Sequence, residues 1–121
     1  MDYVLFDACL LQAYRNAETG YSFDDVRNIM HYFFDCYEHH RHQPHPPVRR
    51  QQLQRIIEGL AEVDDELGRP IEVFPDDYPP MIRLYFRARF KAPCDYRINH
   101  FMTNGVRLMR YYEHLCYDVE E

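Results

Sequence analysis

The segment from Ser22 to His42 constrains the fold of this chain most, because its apolar residues repeat at helical spacing. Val26, Ile29 and Met30 begin a stripe at positions i, i+3 and i+4, and Phe33, Phe34 and Tyr37 continue it. With Tyr32 and Cys36 beside it, this stripe covers more than half of the helix circumference. The sequence therefore predicts a central helix at 22–42 that other helices cover on several sides.

Both ends of this segment carry helix-boundary signals. The hydroxyl of Ser22 can cap the first turn, and Asp25 places negative charge where the helix dipole favours it. Arg41 and a run of histidines stand at the opposite end. Pro44 then opens the segment PHPP, which cannot continue a helix.

Three further helices follow from apolar patterning and turn residues. A first helix is expected from Asp2 to Tyr14, with its apolar face formed by Val4, Leu5, Ala8, Cys9 and Leu11. A third is expected from Val48 to Leu67, with its inward face formed by Leu53, Ile56, Ile57, Leu60, Val63 and Leu67. A last one is expected from Val106 to Tyr117, with Leu108, Met109, Tyr112, Leu115 and Cys116 inward.

Residues 71–90 support two interpretations. Residues 71–74 suit a short strand or an extended linker, and apolar residues alternate from Ile82 to Phe90 as in a strand. A helix from 79 to 90 is favoured, because Pro79 and Pro80 suit a first turn and no glycine follows. The predicted fold is thus an all-α single domain, 1–121, of five or six helices. The central helix is expected to lie between the first, the third and the last.

Composition points to a reduced, cytoplasmic protein. The 121 residues include four cysteines, which lie far apart without a CxxC pair, and the chain opens without the features of a signal peptide. No apolar run approaches the length of a membrane span, so no membrane partner is expected. Aromatic residues make up 16% of the chain and are expected to supply much of its core.

Charge is unevenly distributed along the chain. The net charge is −6, yet residues 81–117 contain seven arginines and lysines against two acids, a local sum of +5. In a helix, Arg83, Arg87 and Lys91 would form a basic stripe. The candidate residues for binding a partner or nucleic acid are Arg83, Arg87, Lys91, Arg97, Arg107 and Arg110. The alternative is that these arginines pair with the acids of the chain itself.

Residues 96–117 have the outline of a helix-turn-helix. Two predicted helices, 96–103 and 106–117, are joined by Asn104-Gly105, and Arg107 and Arg110 lie one turn apart on the second. Many apolar residues on that second helix leave few polar positions for reading bases. Binding of DNA by residues 83–110 is therefore kept as an alternative function.

Two other groups of residues could carry chemistry. Cys36 with His39 or His40 has the spacing of helical metal ligands, but no second ligand pair completes a site, so no metal or cofactor is expected. Cys94, Asp95 and His100 supply the residue types of a nucleophile, an acid and a base. Capping by Asp95 and packing by Cys94 explain the same residues without catalysis.

A resemblance bears on the setting of the protein. The run CDYRINHF at 94–101, followed by Gly105, Arg107, Arg110 and Tyr112-Glu113, resembles a pattern in small uncharacterised helical proteins of bacteriophages and integrative elements. The central helix followed by PHPPVR is also similar, so the resemblance extends over about 22–113. It implies a mobile-element setting, and it implies no activity and no catalytic residues.

These observations favour a non-enzymatic binding protein. We expect it to act on a protein or nucleoprotein partner as an inhibitor or regulator, for example as an anti-CRISPR. A helix-turn-helix regulator that binds DNA and a His-rich metal-binding protein are the alternatives. RNA as a partner and a homodimer also stay open at this point.

Overall fold

The computed structural model describes residues 2–117 and confirms the all-α class. Its elements, in chain order, are α1 (Tyr3–Asn16), α2 (Phe23–Arg41), α3 (Arg50–Gly59), β1 (Glu62–Asp64), β2 (Pro70–Glu72), a 3-10 turn (Pro75–Asp77), α4 (Tyr78–Arg87), α5 (Ile98–Phe101) and α6 (Asn104–Tyr117). The two strands form one antiparallel hairpin. Among the described residues, no helix has both the length and the apolar character that crossing a membrane requires.

The central helix has the predicted boundaries and the predicted buried face. The Ser22 hydroxyl accepts a hydrogen bond of 3.1 Å from the Asp25 N–H, which caps α2 as expected. At the other end, His42 adopts a left-handed backbone conformation with φ of 60°. The buried residues of α2 are the six of the predicted stripe, Val26, Ile29, Met30, Phe33, Phe34 and Tyr37.

The neighbours of α2 differ from the prediction. Helix α2 packs chiefly against α1 and α4, while α3 packs on α1 and α6 packs on α4. The third and last helices are therefore not the main cover of α2. Helix α4 takes that place because it buries four residues, Tyr78, Met81, Ile82 and Tyr85.

The buried face of α1 also differs from the prediction. Val4 is 81% exposed and Leu5 is 68% exposed, and Ala8 and Cys9 lie on the same exposed side, whereas Leu10 and Ala13 are fully buried. Aromatic rings decide this orientation because they bury more area than small aliphatic side chains. The ring of Phe6 packs edge-on against Phe34 with 5.1 Å between centroids, and Tyr3 stacks on His31 at 3.9 Å.

Helix α3 is shorter than predicted, because it ends at Gly59 rather than Leu67. Val63 is buried on β1, where it pairs with Ile71, so its burial comes from a strand. Gly68 makes the hairpin turn with φ of 79°, a conformation that glycine adopts without strain. The strand β2 overlaps the extended segment expected at 71–74.

Residues 78–87 form a helix, which answers the question that the sequence left open. Helix α4 ends three residues before the predicted end, at Arg87, where the Ala88 N–H bonds to the Tyr85 carbonyl. In α6, Leu108 is buried as predicted, but Met109, Leu115 and Cys116 are exposed. Two arginines take the inward positions, as described below.

Candidate functional site

Three segments meet at one end of the molecule. They are the C-terminal turn of α2, the C-terminal turn of α4, and the loop 88–97. The ring of His40 lies 5.4 Å from Phe86 and 4.7 Å from Tyr96, which joins the three segments through aromatic contacts. We name this region the basic end, because its exposed cationic residues are Arg41, Arg87, Arg89, Lys91 and Arg97.

Tyr96 is the centre of the aromatic cluster at the basic end. Its ring stacks on Phe86 at 6.0 Å, and the guanidinium of Arg41 lies 5.7 Å above it. Its backbone has φ of 59°, which is strained for a bulky residue. The Tyr96 hydroxyl donates a hydrogen bond of 2.7 Å to the Ala88 carbonyl. This bond and the ring contacts together hold the backbone conformation.

A first cleft, of about 360 Å³, lies between α2 and α4. Its walls are formed by Asp35, Cys36, His39, His40, Arg83, Phe86 and Arg87. The candidate metal ligands Cys36, His39 and His40 thus lie beside Arg83 and Arg87 of the predicted basic stripe. Arg83 is half-buried and donates a hydrogen bond of 3.1 Å to the Tyr32 hydroxyl. Its buried Nε atom has no hydrogen-bond partner in the structure.

This cleft does not have the chemistry of a metal site. Within residues 2–117 no group of three or more His, Cys, Asp or Glu side chains is arranged to hold a metal ion. Burial raises the pKa of the Cys36 thiol, which disfavours the thiolate that a metal needs. Burial, and next the charge of Arg41, lower the pKa of His40. The guanidinium groups of Arg83 and Arg87 on the same walls oppose a further cation.

The predicted basic stripe is interrupted. Because α4 ends at Arg87, Lys91 lies in the loop 88–97 and not on the helix with Arg83. Arg97 is exposed, and its Nε atom lies 3.4 Å from a carboxylate oxygen of Asp95. The basic end is thus assembled from several segments and includes Arg41, which the sequence analysis did not select.

Arg107 is not on this surface. It is 5% exposed, and its guanidinium donates to the Gly59 carbonyl and, at 2.9 Å, to the Tyr78 hydroxyl. The Tyr78 hydroxyl in turn donates to the Leu60 carbonyl at 2.6 Å. The carbonyls at the end of α3 lack hydrogen-bond donors within the helix, and the side chains of Arg107 and Tyr78 provide those donors. Arg107 is therefore a buried structural residue, and its prediction as a binding residue is corrected.

Arg110 is also removed from the predicted surface. It is 6% exposed and forms a two-point ion pair with Glu113, with N–O distances of 2.8 and 3.1 Å. An acid three residues after an arginine is a sequence signal for such a pair within a helix. The proposed first helix of the helix-turn-helix is the four-residue α5. The two arginines expected to contact DNA thus lie inside the molecule.

A second cleft, of about 350 Å³, is lined by Arg41, Pro93, Cys94, Asp95 and His100. The Cys94 sulfur lies 3.4 Å from Nδ1 of His100, so the structure brings this predicted pair together. Asp95 does not join this pair, because its carboxylate accepts a hydrogen bond of 3.2 Å from the Arg97 N–H.

Tyr85, and not Asp95, is the hydrogen-bonding neighbour of His100. Its hydroxyl lies 2.8 Å from Nδ1 of His100 and 3.8 Å from the Cys94 sulfur. Burial, and next the contact with Cys94, raise the pKa of Tyr85, so the phenol remains protonated. Helical spacing indicated only that Tyr85 is a core residue.

Comparisons of this chain with protein-family models, with curated proteins and with solved structures find no significant match.

Proposed function

We propose that this chain is a non-enzymatic binding protein that uses its basic end to hold an acidic surface of a protein or nucleoprotein partner. The observation that carries the proposal is the concentration of five exposed cationic residues from three segments at one end of the molecule, where the Arg41 guanidinium lies on the Tyr96 ring. The remainder of the chain is acidic enough to bring the net charge to −6. Such a polarised molecule orients its basic end towards an acidic partner during encounter.

The folding of the domain does not account for this concentration of charge. Exposed ion pairs contribute at most about 1 kcal/mol to stability. Arginine and tyrosine, by contrast, are the residue types most often found at the energetic centre of interfaces. The Arg41 guanidinium on the Tyr96 ring is one such pair, and the clefts on either side offer concave surface to a partner.

The setting of the proposal comes from the resemblance to small helical proteins of bacteriophages and integrative elements. In that setting we propose that the protein acts as an inhibitor or regulator of a host or competing system, as an anti-CRISPR does. The burial of Arg107 and Arg110 makes a DNA-binding helix-turn-helix the weaker candidate. The walls of the first cleft make a metal-binding protein the weaker candidate as well.

Matched double variants test the proposal. Arg87→Ala with Lys91→Ala removes two exposed cations from the basic end, and Arg15→Ala with Arg55→Ala removes two exposed cations elsewhere. Each tagged protein is expressed in host cells, cross-linked and recovered, and co-purifying proteins are quantified by mass spectrometry. We expect the Arg87/Lys91 double variant to reduce the recovered amount of a saturably bound partner about tenfold or more. The Arg15/Arg55 double variant should leave that amount unchanged.

Two results would contradict the proposal. Equal recovery with both pairs would place the partner on another face. Tight retention of naked duplex DNA by the purified protein, falling steeply with salt, would favour the DNA-binding alternative.

A further inference from the structure

Cys94 stands apart from the other cysteines of the chain. The structure describes all four, and none is in a disulfide. Cys9 and Cys116 are exposed, and Cys36 is half-buried. Cys94 faces the second cleft with an imidazole nitrogen 3.4 Å from its sulfur and the Tyr96 N–H 3.3 Å from it. A cysteine in such an environment has the features of a reactive thiol rather than of a packing residue.

We propose that Cys94 is a thiol–disulfide exchange site, with His100 as its proton acceptor, for small disulfides that carry a carboxylate. This site shares Arg41 and the second cleft with the partner surface proposed above, but its chemistry needs no partner and does not depend on that proposal.

Hydrogen-bonding groups surround the Cys94 sulfur. Nδ1 of His100 lies 3.4 Å from the sulfur and 2.8 Å from the Tyr85 hydroxyl, so a proton that it takes from the thiol faces both groups. The Tyr96 N–H already faces the sulfur, and the Tyr85 hydroxyl at 3.8 Å can turn towards it. A thiolate is thus surrounded by donors from α4, α5 and the loop 88–97.

The walls of the cleft indicate the class of ligand. A volume of about 350 Å³ suits a small molecule. Besides His100, the charged residues of its walls are Arg41 and Asp95. Arg97 engages Asp95 twice, through an ion pair and through a hydrogen bond that its backbone N–H donates to the carboxylate. The guanidinium of Arg41 therefore offers the charge that a ligand would meet, and a carboxylate is its complement.

The exchange balances without another reactant. The Cys94 thiol gives its proton to His100, and the thiolate attacks one sulfur of the small disulfide. A new sulfur–sulfur bond forms to Cys94 while the bond within the disulfide breaks, and the leaving thiolate takes the proton from His100. Cys94 is oxidised to a mixed disulfide and the departing sulfur is reduced to a thiol.

The rate of modification at each cysteine tests this site. The purified protein is mixed with dithiobis-nitrobenzoate, a disulfide with two carboxylates, or with cystamine, a disulfide with two ammonium groups. Samples are quenched over time, and peptide mass spectrometry reports the rate at Cys94 and at the exposed Cys9. We expect Cys94 to react about tenfold faster than Cys9 with the carboxylate reagent near neutral pH. The advantage should be smaller with cystamine.

Variants separate the roles of the neighbours. His100→Gln should lower the rate at Cys94 about tenfold and leave Cys9 unchanged, and Arg41→Ala should remove the preference for the carboxylate reagent only. If His100→Gln does not fold, the ratio of the rates at Cys94 and Cys9 in the wild type decides. A Cys94 that reacts no faster than Cys9 in the wild type would overturn the proposal.

Discussion

The Nε2 atom of His45 accepts a hydrogen bond of 3.1 Å from the backbone N–H of Ile98. Its Nδ1 atom lies 2.7 Å from the Pro46 carbonyl and must donate to it, so both nitrogens are engaged in the neutral ring. The ring is 7% exposed and packs against Phe34 and Tyr37. His45 thus joins the segment after α2 to the first residue of α5, a role that the sequence did not indicate.

The neutral His45 predicts a pH dependence of stability. The pKa of His45 is lowered below the usual value of about 6.5, chiefly because the ring is buried. As the pH falls, His45 is therefore protonated at a higher pH in the unfolded chain than in the folded chain. The contribution of His45 to stability is therefore complete above about pH 6.5 and is lost as pH falls from there towards the folded pKa. Urea unfolding at several pH values should show this loss in the wild type.

The control for this prediction is His45→Gln, which retains hydrogen-bonding groups but does not titrate. The difference between wild type and variant isolates His45 from other titrating groups. The variant should lose less stability between about pH 7 and about pH 5.5 than the wild type does. Parallel curves for the two proteins would show that His45 does not carry the dependence.

Arg107→Ala should destabilise the domain by about 2–4 kcal/mol. The change leaves the Gly59 carbonyl and the Tyr78 hydroxyl without a buried donor. Arg15→Ala, an exposed cation on α1, should change the free energy of unfolding by about 0.5 kcal/mol or less. Denaturant titration measures both. Equal losses in the free energy of unfolding for the two variants would show that Arg107 is not a buried structural residue.

Leu10→Ala and Leu5→Ala compare two leucines of one helix. Leu10 is fully buried, and its truncation should cost about 2–5 kcal/mol by leaving a cavity. Leu5 is 68% exposed, and its truncation should cost about 0.5 kcal/mol or less. Thermal or denaturant unfolding of the two variants measures the difference. A larger loss with Leu5→Ala would support the face that the sequence predicted for α1.

Removal of metal should leave the protein unchanged. The walls of the first cleft include two guanidinium groups, and a protonated Cys36 thiol is a poor ligand. Untagged protein should therefore melt at the same temperature with and without a chelator, and Cys36→Ser should behave alike. A chelator-dependent fall in the melting temperature, abolished by Cys36→Ser, would favour the metal-binding alternative.

Local chemistry allowed much of α2 to be predicted from the sequence. The Ser22 cap depends on a side chain three residues from its donor, and the wide aromatic stripe leaves one way for the helix to face inward. The choice of helix for 78–87 was local as well, because two prolines suit its first turn.

Tertiary contacts decided the rest. In α1 and α6 the apolar residues surround the helix, so the inward face depends on which neighbour supplies the larger buried surface. On α6, Arg107 lies inward because its guanidinium donates to the Gly59 carbonyl at the end of α3, which has no partner within that helix. The basic end combines residues distant in sequence, as when Arg41 meets Tyr96. Sequence alone determined the helical class and the central helix, because periodicity and caps act within a few turns. Only the tertiary structure decided which cations and thiols reach a cleft, because that depends on how the helices meet.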